Sequence, residues 1–463
     1  MTNLTQLRLA ARDIFEAALR AVDPSAAVRR AVRLEGSRLS ICDTTIDIGN
    51  RPVYSIAIGK AAGKMAAALE EVLGERLTGG IIASNASRFG DANGDHIERP
   101  QVNSLRHTVF HGGHPEPNEQ SLAAARACFD LLDKANPEHA LVIFLISGGG
   151  SAMIEWPISE DITLADLRTA NKALINSGAS IGEINAVRRV FSAVKGGRLA
   201  ARAPNCDQVT LIVSDVPADE ERNVASGPSL APPAGASGPR EVIARYNLAS
   251  QLPETIVRAV KSEPKLFAED SRALRRHFVL LDNRRALEAA AEAAKQLGFV
   301  TEIARHISDQ PIAEGCTQLL ERLTQLGHQA DKAPNESADK AVCLISGGEF
   351  ACPVTGDGIG GRNLETALRL ACATTLSFSD NAHLVALCAG TDGIDGNSPG
   401  AGAIIDNTTI SRAKAIGLDP EDFLERSDAY SFFVALGDVV ATGPTGTNVR
   451  DLRILLASFE RSD

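Results

Sequence analysis

Short apolar runs alternate along this chain with longer segments whose apolar residues recur every three to four positions. SIAIGK (55–60), GGIIASN (79–85), ALVIFLISGGG (140–150) and VTLIVSDV (209–216) are of the first kind. AAGKMAAALEEVL and SLAAARACFDLLDKA are of the second. Continuous apolar runs predict strands buried on both faces, and the helical recurrence predicts amphipathic helices. Their alternation up to about residue 210 predicts βαβ units and a mostly parallel sheet. A second series starts at FVLLDN (278–283). It continues through the helix RRALEAAAEAAKQLG, the strand TEIARH, and the runs AVCLISGGE and HLVALCAGTDG. Residues 219–238, rich in Gly, Pro and Ser, mark a loop and a lobe edge, and 332–340 (KAPNESADK) a surface loop.

The expected fold is therefore α/β, with two lobes built on mostly parallel, Rossmann-like sheets. The ranges are 1–240 for the N-terminal domain and 275–463 for the C-terminal one, with the boundary inside 240–275. LISGG occurs twice, at 145–149 and at 344–348, each time closing an apolar run with a Ser-Gly-Gly turn. Ligands of open α/β sheets bind beyond the carboxyl ends of the strands. Glycine lets backbone N–H groups come close to an anion there. The pair suggests two lobes facing one polyanionic ligand; two ordinary strand-turn-helix connections are the plainer alternative.

Length and charge narrow this picture. A chain of 463 residues is too long for one core. Its net charge of −11 argues against nucleic acid as a partner, so an anionic substrate needs a local basic pocket. The eight cysteines form no CxxC pair, and Cys343, Cys372 and Cys388 sit in apolar runs, which points to a reducing compartment without structural zinc. No apolar stretch reaches membrane-spanning length. The N-terminal segment is amphipathic, with Leu7, Ala11, Phe15 and Leu19 on one face, and its Asp13 and Glu16 argue against a transit peptide. A cytoplasmic location follows as the expectation; homo-oligomerisation is left open.

The polar residues that could carry chemistry cluster at the strand ends. Lys60 closes a strand and opens a helix, whose N-terminus attracts anions. His111 and His114 in HGGHPEPNEQS lack further zinc ligands and read first as a rigid turn before a helix capped by Asn118 or Ser121. NAVRRVFSAVKGGRLA brings Arg188, Arg189, Lys195 and Arg198 together, either as a solvated basic face or as an anion fork. Asp215 and Asp219 follow a buried strand, where a carboxylate can take a proton from a hydroxyl, hold Mg2+ through water or cap a helix. Glu349 follows the second glycine turn. GDGIGGRN then feeds Arg362 and Asn363 into a helix, an arrangement suited to polyphosphate. Asp392 and Asp395, and Thr442, Thr445, Thr447 and Asn448, lie in two more glycine-rich loops that suit ligand contact, metal coordination or tight turns.

Taken together, IAIGKAAGKM, GGHPEPNEQS, LISGGGSAM, NAVRRVFSAVKGGRLA, SDVPADEERNVASGPS, SGGEFACPVTGDGIGGRNLE, CAGTDGIDGNSPGAGA and GDVVATGPTGTNVRDL resemble the class II glycerate kinases, whose C-terminal module is called MOFRL. The resemblance implies ATP-dependent phosphorylation of D-glycerate to 2-phosphoglycerate, a divalent metal (Mg2+), and an active-site cleft between two α/β domains. It marks Lys60 and Arg362 as leading catalytic positions, with Asp215 beside them. The resemblance marks the 147–151 turn and the GDGIGGRN loop for ligand, and with the residue pattern the candidate ligand-binding positions are Ser147, Gly148, Gly149, Gly150, Ser151, Arg189, Lys195, Ser346, Gly347, Gly348, Glu349, Gly360, Gly361, Asn363, Thr445 and Asn448, with Asp392 and Asp395 as candidates for the metal. Phe350-Ala351, Leu364, Ala218 and Asn397-Ser398-Pro399 depart from the family pattern and are expected to tune substrate choice.

The rival enzyme class is an NAD(P)H-dependent hydroxypyruvate reductase. Against it, no GxGxxG follows a first strand with an acid about 20 residues on. A non-catalytic sugar-acid binding protein is the third reading, and it needs neither metal nor so many strand-end carboxylates.

Overall fold

The computed structural model describes residues 3–85, 106–232, 235, 238–262, 273–331, 341–377 and 382–459. The loop expected at 332–340 lies outside the described residues. Two compact units account for the chain: Pro24–Leu281, the first unit, and Met1–Asp23 with Asp282–Asp463, the second. The N-terminal helix therefore belongs with the C-terminal half. Leu4–Ala21, capped by Asn3 and Gln6, buries Leu7, Ala11, Ile14, Phe15 and Ala18. Its Arg8 holds Asp406 and Asp438 at 2.6 and 2.5 Å. Periodicity identifies such an apolar face but not the sheet that will cover it.

The first unit contains a six-stranded sheet with every neighbouring pair parallel. Its spatial order is His107–His111, Leu77–Ser84, Val53–Ile58, Leu141–Ser147, Asp207–Val213, Arg275–Leu281. Numbered within the sheet, that is 3-2-1-4-5-6. The order reverses between Val53–Ile58 and Leu141–Ser147, so their carboxyl ends open a crevice with connections leading away on both sides. Both strands are buried along their whole length, which is why they read as unbroken apolar runs. A separate helical core, including Leu167, Val187, Phe191, Val242 and Ile256, supports the Ile181–Phe191 helix.

The second unit's sheet is mixed, where a mostly parallel one was expected. Its order is Val300–Ile303, Val342–Gly348, Asp451–Phe459, Ala382–Gly390, Gly402–Asp406, Val439–Val440. The last long strand, Asp451–Phe459, inserts antiparallel between two strands that run the other way. Apolar content gives a strand its burial and not its direction, so the sequence pattern missed this. The consequence is local: Asp451, at the start of that strand, sits in register with Gly348 on one side and Gly390 on the other.

Candidate active site

The first unit's crevice is built by close backbone approach. Gly59, with φ +113°, follows the Val53–Ile58 strand, and a Cβ there would lie 2.3 Å from the Ser147 carbonyl oxygen. The Ser147 hydroxyl accepts from the Ala61 N–H at 3.0 Å and donates to the Ile58 carbonyl at 3.1 Å. The Lys60 N–H donates to the Gly148 carbonyl at 3.0 Å. Lys60 then runs along the second turn: a Cβ on Gly149 would lie 3.2 Å from its Cε. Asp215 closes the other side, since a Cβ on Gly148 would lie 2.0 Å from its Oδ2. Lys60, the 147–151 turn and Asp215 thus lie together at this crevice. Asp219 is exposed on the following turn. Asn118 and Ser121 form the helix cap, leaving His111 exposed at a strand end.

Lys195 has a different position from the one expected for a ligand-facing cation. Its side chain is 1% exposed, and its Nζ lies 2.5 Å from Glu155 Oε2. It also donates to the Ser151 carbonyl at 2.8 Å. Burial pulls its pKa down, and the Glu155 carboxylate opposes that pull. Glu155 accepts as well from the Ser192 hydroxyl at 2.5 Å and the Trp156 N–H at 3.0 Å. Lys195 therefore fixes the glycine turn from beneath. Glu155 sits in an apolar stretch, AMIEW, with nothing in its spacing to mark it as the partner of a lysine 40 residues away. Arg188 is likewise turned inward, donating to Asn171 at 2.8 Å. The segment is not a solvated basic face, because Arg188, Arg189, Lys195 and Arg198 are all buried.

The second unit gathers its glycine turn around Arg362. Arg362 Nε donates to Asp451 Oδ2 at 2.6 Å, and its Nη2 lies 2.9 Å from Glu349 Oε1. Burial by itself would lower the pKa of this guanidinium, but Asp451 and Glu349 outweigh it and hold the group firmly charged. Asp451 was absent from the expected site because its position depends on the unexpected antiparallel strand. Beneath the turn, the Asn283 side chain accepts from the Gly348 N–H at 3.1 Å and donates to the Val449 and Asp451 carbonyls. Arg453, 1% exposed, donates to the Ser346 hydroxyl at 2.9 Å and to the Gly347 carbonyl.

The 356–363 glycine loop is anchored. Gly358 donates to the Arg426 carbonyl at 3.0 Å, Ile359 to Asp428 at 3.0 Å and Gly360 to Asn397 at 2.8 Å. Gly361 gives close access to Asp395, whose Cγ would lie 2.4 Å from an added Cβ. Asp395 accepts from the Asn363 N–H and side-chain amide, both at 3.1 Å, and from the Leu364 N–H at 2.8 Å. Both oxygens are thereby committed to the N-terminus of the Arg362–Ser377 helix. Burial raises the Asp395 pKa to about 7, against the pull of those N–H groups. This is helix-capping geometry, not the metal ligation expected for Asp395, and no cluster of three or more His, Cys, Asp or Glu placed for a metal occurs among the described residues.

Asp392 is half-buried, and its Oδ1 accepts from the Ile394 N–H at 3.1 Å. The Thr445 hydroxyl donates to the Thr391 carbonyl at 2.6 Å, and Asn448 accepts from the Arg450 N–H at 3.3 Å. Three buried polar atoms in these same loops have no hydrogen-bond partner: Asn363 Oδ1, Thr447 Oγ1 and Arg450 Nε. Such orphans are rare in a folded protein and are consistent with a polar ligand completing the site. The departures at Phe350 and Leu364 do not face it. Phe350 is 1% exposed with the Arg453 guanidinium 3.6 Å from its ring centroid, and Leu364 is 0% exposed.

Residues 10–261 match a family described as a domain of unknown function, DUF4147, and residues 342–451 match the MOFRL family. A Thermotoga maritima relative named D-glycerate 2-kinase is 35% identical over 87% of this chain and 90% of its own length. A relative from Agrobacterium vitis, 34% identical over 98% of this chain and 95% of its own, carries hydroxypyruvate reductase as a provisional name. The crystal structure of a glycerate kinase from Thermotoga maritima superimposes with a TM-score of 0.75 and 32% identity, covering 98% of this chain and 99% of the other. With two glycine turns, each set at a strand end and each beside an inward cation, and with these matches across nearly its whole length, the chain belongs to the glycerate kinase family that joins a DUF4147 domain to a MOFRL domain.

Proposed function

We propose that this protein is a cytoplasmic kinase that transfers the γ-phosphoryl group of ATP to the 2-hydroxyl of D-glycerate. The observation that carries the reading is the first unit's crevice. It assembles a half-buried lysine, a glycine turn with close backbone approach and a carboxylate at the reversal point of the sheet. Phosphoryl transfer demands positioning and charge neutralisation more than covalent chemistry. In this reading Asp215 accepts the proton of the substrate hydroxyl, whose oxygen forms the new bond to phosphorus. The bond from phosphorus to the β–γ bridging oxygen breaks, releasing ADP. Lys60 offsets the charge on the transferred group. Arg362, with Nε and Nη2 taken by Asp451 and Glu349, offers Nη1 to ligand at the second unit's turn.

Mg2+ keeps several waters and needs only one or two carboxylates beside the phosphates. Asp392 fits that demand, and Asp395, its oxygens already engaged, does not. When bound, held from this chain by Asp392, the ion would supply positive charge to offset the phosphates.

The 3-2-1-4-5-6 order is also that of dinucleotide-binding sheets, and a fold does not choose between reactions. The turn after the first strand is Gly59-Lys60-Ala61-Ala62, and the second strand ends at Ser84-Asn85, without the acid that would hold a ribose. Both features favour the kinase over the reductase. ADP formation with D-glycerate, ATP and Mg2+, followed by coupling the product to enolase, tests the reading. NADH oxidation with hydroxypyruvate and no ADP formation would refute it.

A further inference from the structure

Among the described residues, Arg189 is a buried cation of the first unit with no anion against it and an unpartnered Nε. Arg189 lies on the Ile181–Phe191 helix and is 5% exposed. It donates to Asn223 Oδ1 at 2.7 Å, while its Nε has no hydrogen-bond partner. Its neighbours are better served: Lys195 is paired with Glu155, and Arg188 feels the same carboxylate. For Arg189 nothing charged offsets the burial that lowers its pKa to about 10. Glu220 touches the Asn223 amide, at 3.3 Å, and not the guanidinium. A buried unpaired charge is expensive, so an anion arriving from outside the chain is the natural complement.

The surroundings tie this cation to the crevice. Asn185 Nδ2 donates to the Asn223 carbonyl at 3.3 Å, and Ser226 Oγ donates to Asn185 Oδ1 at 2.7 Å. Ser226 Oγ in turn lies 2.8 Å from Ser151 Oγ, the last residue of the glycine turn. Gly196, at φ +67°, makes room for the arginine stem: a Cβ there would lie 3.1 Å from Arg189 Cγ and Cδ. Ala225 and Ser226 hold left-handed backbone, at φ +51° and +63°, a strained conformation for residues with side chains and one that concentrates at functional sites.

We propose that Arg189 anchors the carboxylate of the hydroxy-acid substrate, with Asn223 and Ser226 positioning the guanidinium against the glycine turn. The proposal rests on the kinase reading for the identity of that acid. A carboxylate is planar and singly charged, matching one guanidinium edge and one uncompensated charge. A phosphate, carrying about −1.5 to −2 at neutral pH, would overshoot that charge.

The decisive variant is Asn223→Asp, which gives Arg189 an internal carboxylate that competes with the substrate. KM for D-glycerate should rise at least about tenfold, the effect of losing one charged hydrogen bond, with KM for ATP unchanged and the unfolding midpoint not lowered. Arg189→Met should raise the same KM further. Calorimetric titration of the intact protein with D-glycerate, glycerol and inorganic phosphate, each without ATP, reads binding separately from turnover. D-glycerate should bind the wild type and lose affinity in both variants, while glycerol, lacking the carboxylate, should bind at least tenfold more weakly. Wild-type KM and affinity for D-glycerate in Asn223→Asp would overturn the proposal. So would loss of phosphate binding alone. Arg189-dependent glycerate binding in a wild-type protein that makes no ADP would sink the kinase reading and leave the anchor standing.

Discussion

Replacing Lys195 by Met should destabilise the first unit by about 3–4 kcal/mol at pH 7, and the size of the loss can be worked from its surroundings. Both partners of the Lys195–Glu155 pair are 1% exposed. Removing one partner of a buried pair typically costs about 3–5 kcal/mol, because the other charge is stranded. The stranded Glu155 has an escape: it can take up a proton. Protonating an ordinary glutamate at pH 7 costs about 4 kcal/mol, which caps the penalty. At pH 5 the same cap is about 1 kcal/mol. The sign follows from linkage: in the variant, Glu155 has a folded-state pKa above its unfolded value, so the folded protein binds the extra proton. Stability is then lost as pH rises from about 4.3 through that raised pKa, and the deficit should shrink by about 2–3 kcal/mol on going from pH 7 to pH 5.

The protein supplies its own reporter. Trp156, the single tryptophan of the chain, is adjacent to Glu155 and makes an edge contact with Phe129 at 6.0 Å. Its fluorescence during urea unfolding follows the first unit specifically, which matters because a two-unit chain need not unfold in one step. Glu155→Gln should cost a similar amount, and Lys195→Met/Glu155→Gln should recover most of it. The reasoning fails if each single variant lies within about 1 kcal/mol of wild type, or if the double variant is no better than the worse single one.

Lys60→Met should lower kcat by at least about a hundredfold, the usual cost of one preorganised charge contact, with an unchanged Trp156 unfolding curve; near wild-type kcat in a folded variant would remove Lys60 from the mechanism. Arg362→Lys should lose most activity, because an ammonium cannot reach Asp451, Glu349 and a ligand with one planar group; steady-state rates above about a third of wild type would show that the fork is dispensable. Asp395, whose folded pKa of about 7 lies above its unfolded value, contributes stability that is complete below about pH 4 and is lost as pH rises towards 7. Asp395→Asn should flatten that dependence, as read by hydrogen exchange in the 362–377 helix, and an identical pH profile in the variant would contradict the assignment.

The apolar runs and helical periodicities determined the α/β class and placed both glycine turns at strand ends, because burial on two faces and the 3.6-residue repeat are local properties of sequence. Lys60, the 147–151 turn and Arg362 were legible for the same reason: each adjoins a turn that its own neighbours define. What lay beyond reach was everything that depends on which element meets which. Strand direction is not encoded in apolar content, so the antiparallel entry of Asp451–Phe459, and with it the place of Asp451 beside Arg362, emerged only in three dimensions. Side-chain partnership across long separations is equally silent in sequence. Lys195 looked like a ligand-facing cation until Glu155 was found against it, and Asp395 like a metal ligand until a helix N-terminus claimed its oxygens. Arg189 differs from those two because the fold buries it and places no anion against it among the described residues. Charge can be counted along a chain, but only packing decides which charges are left unbalanced.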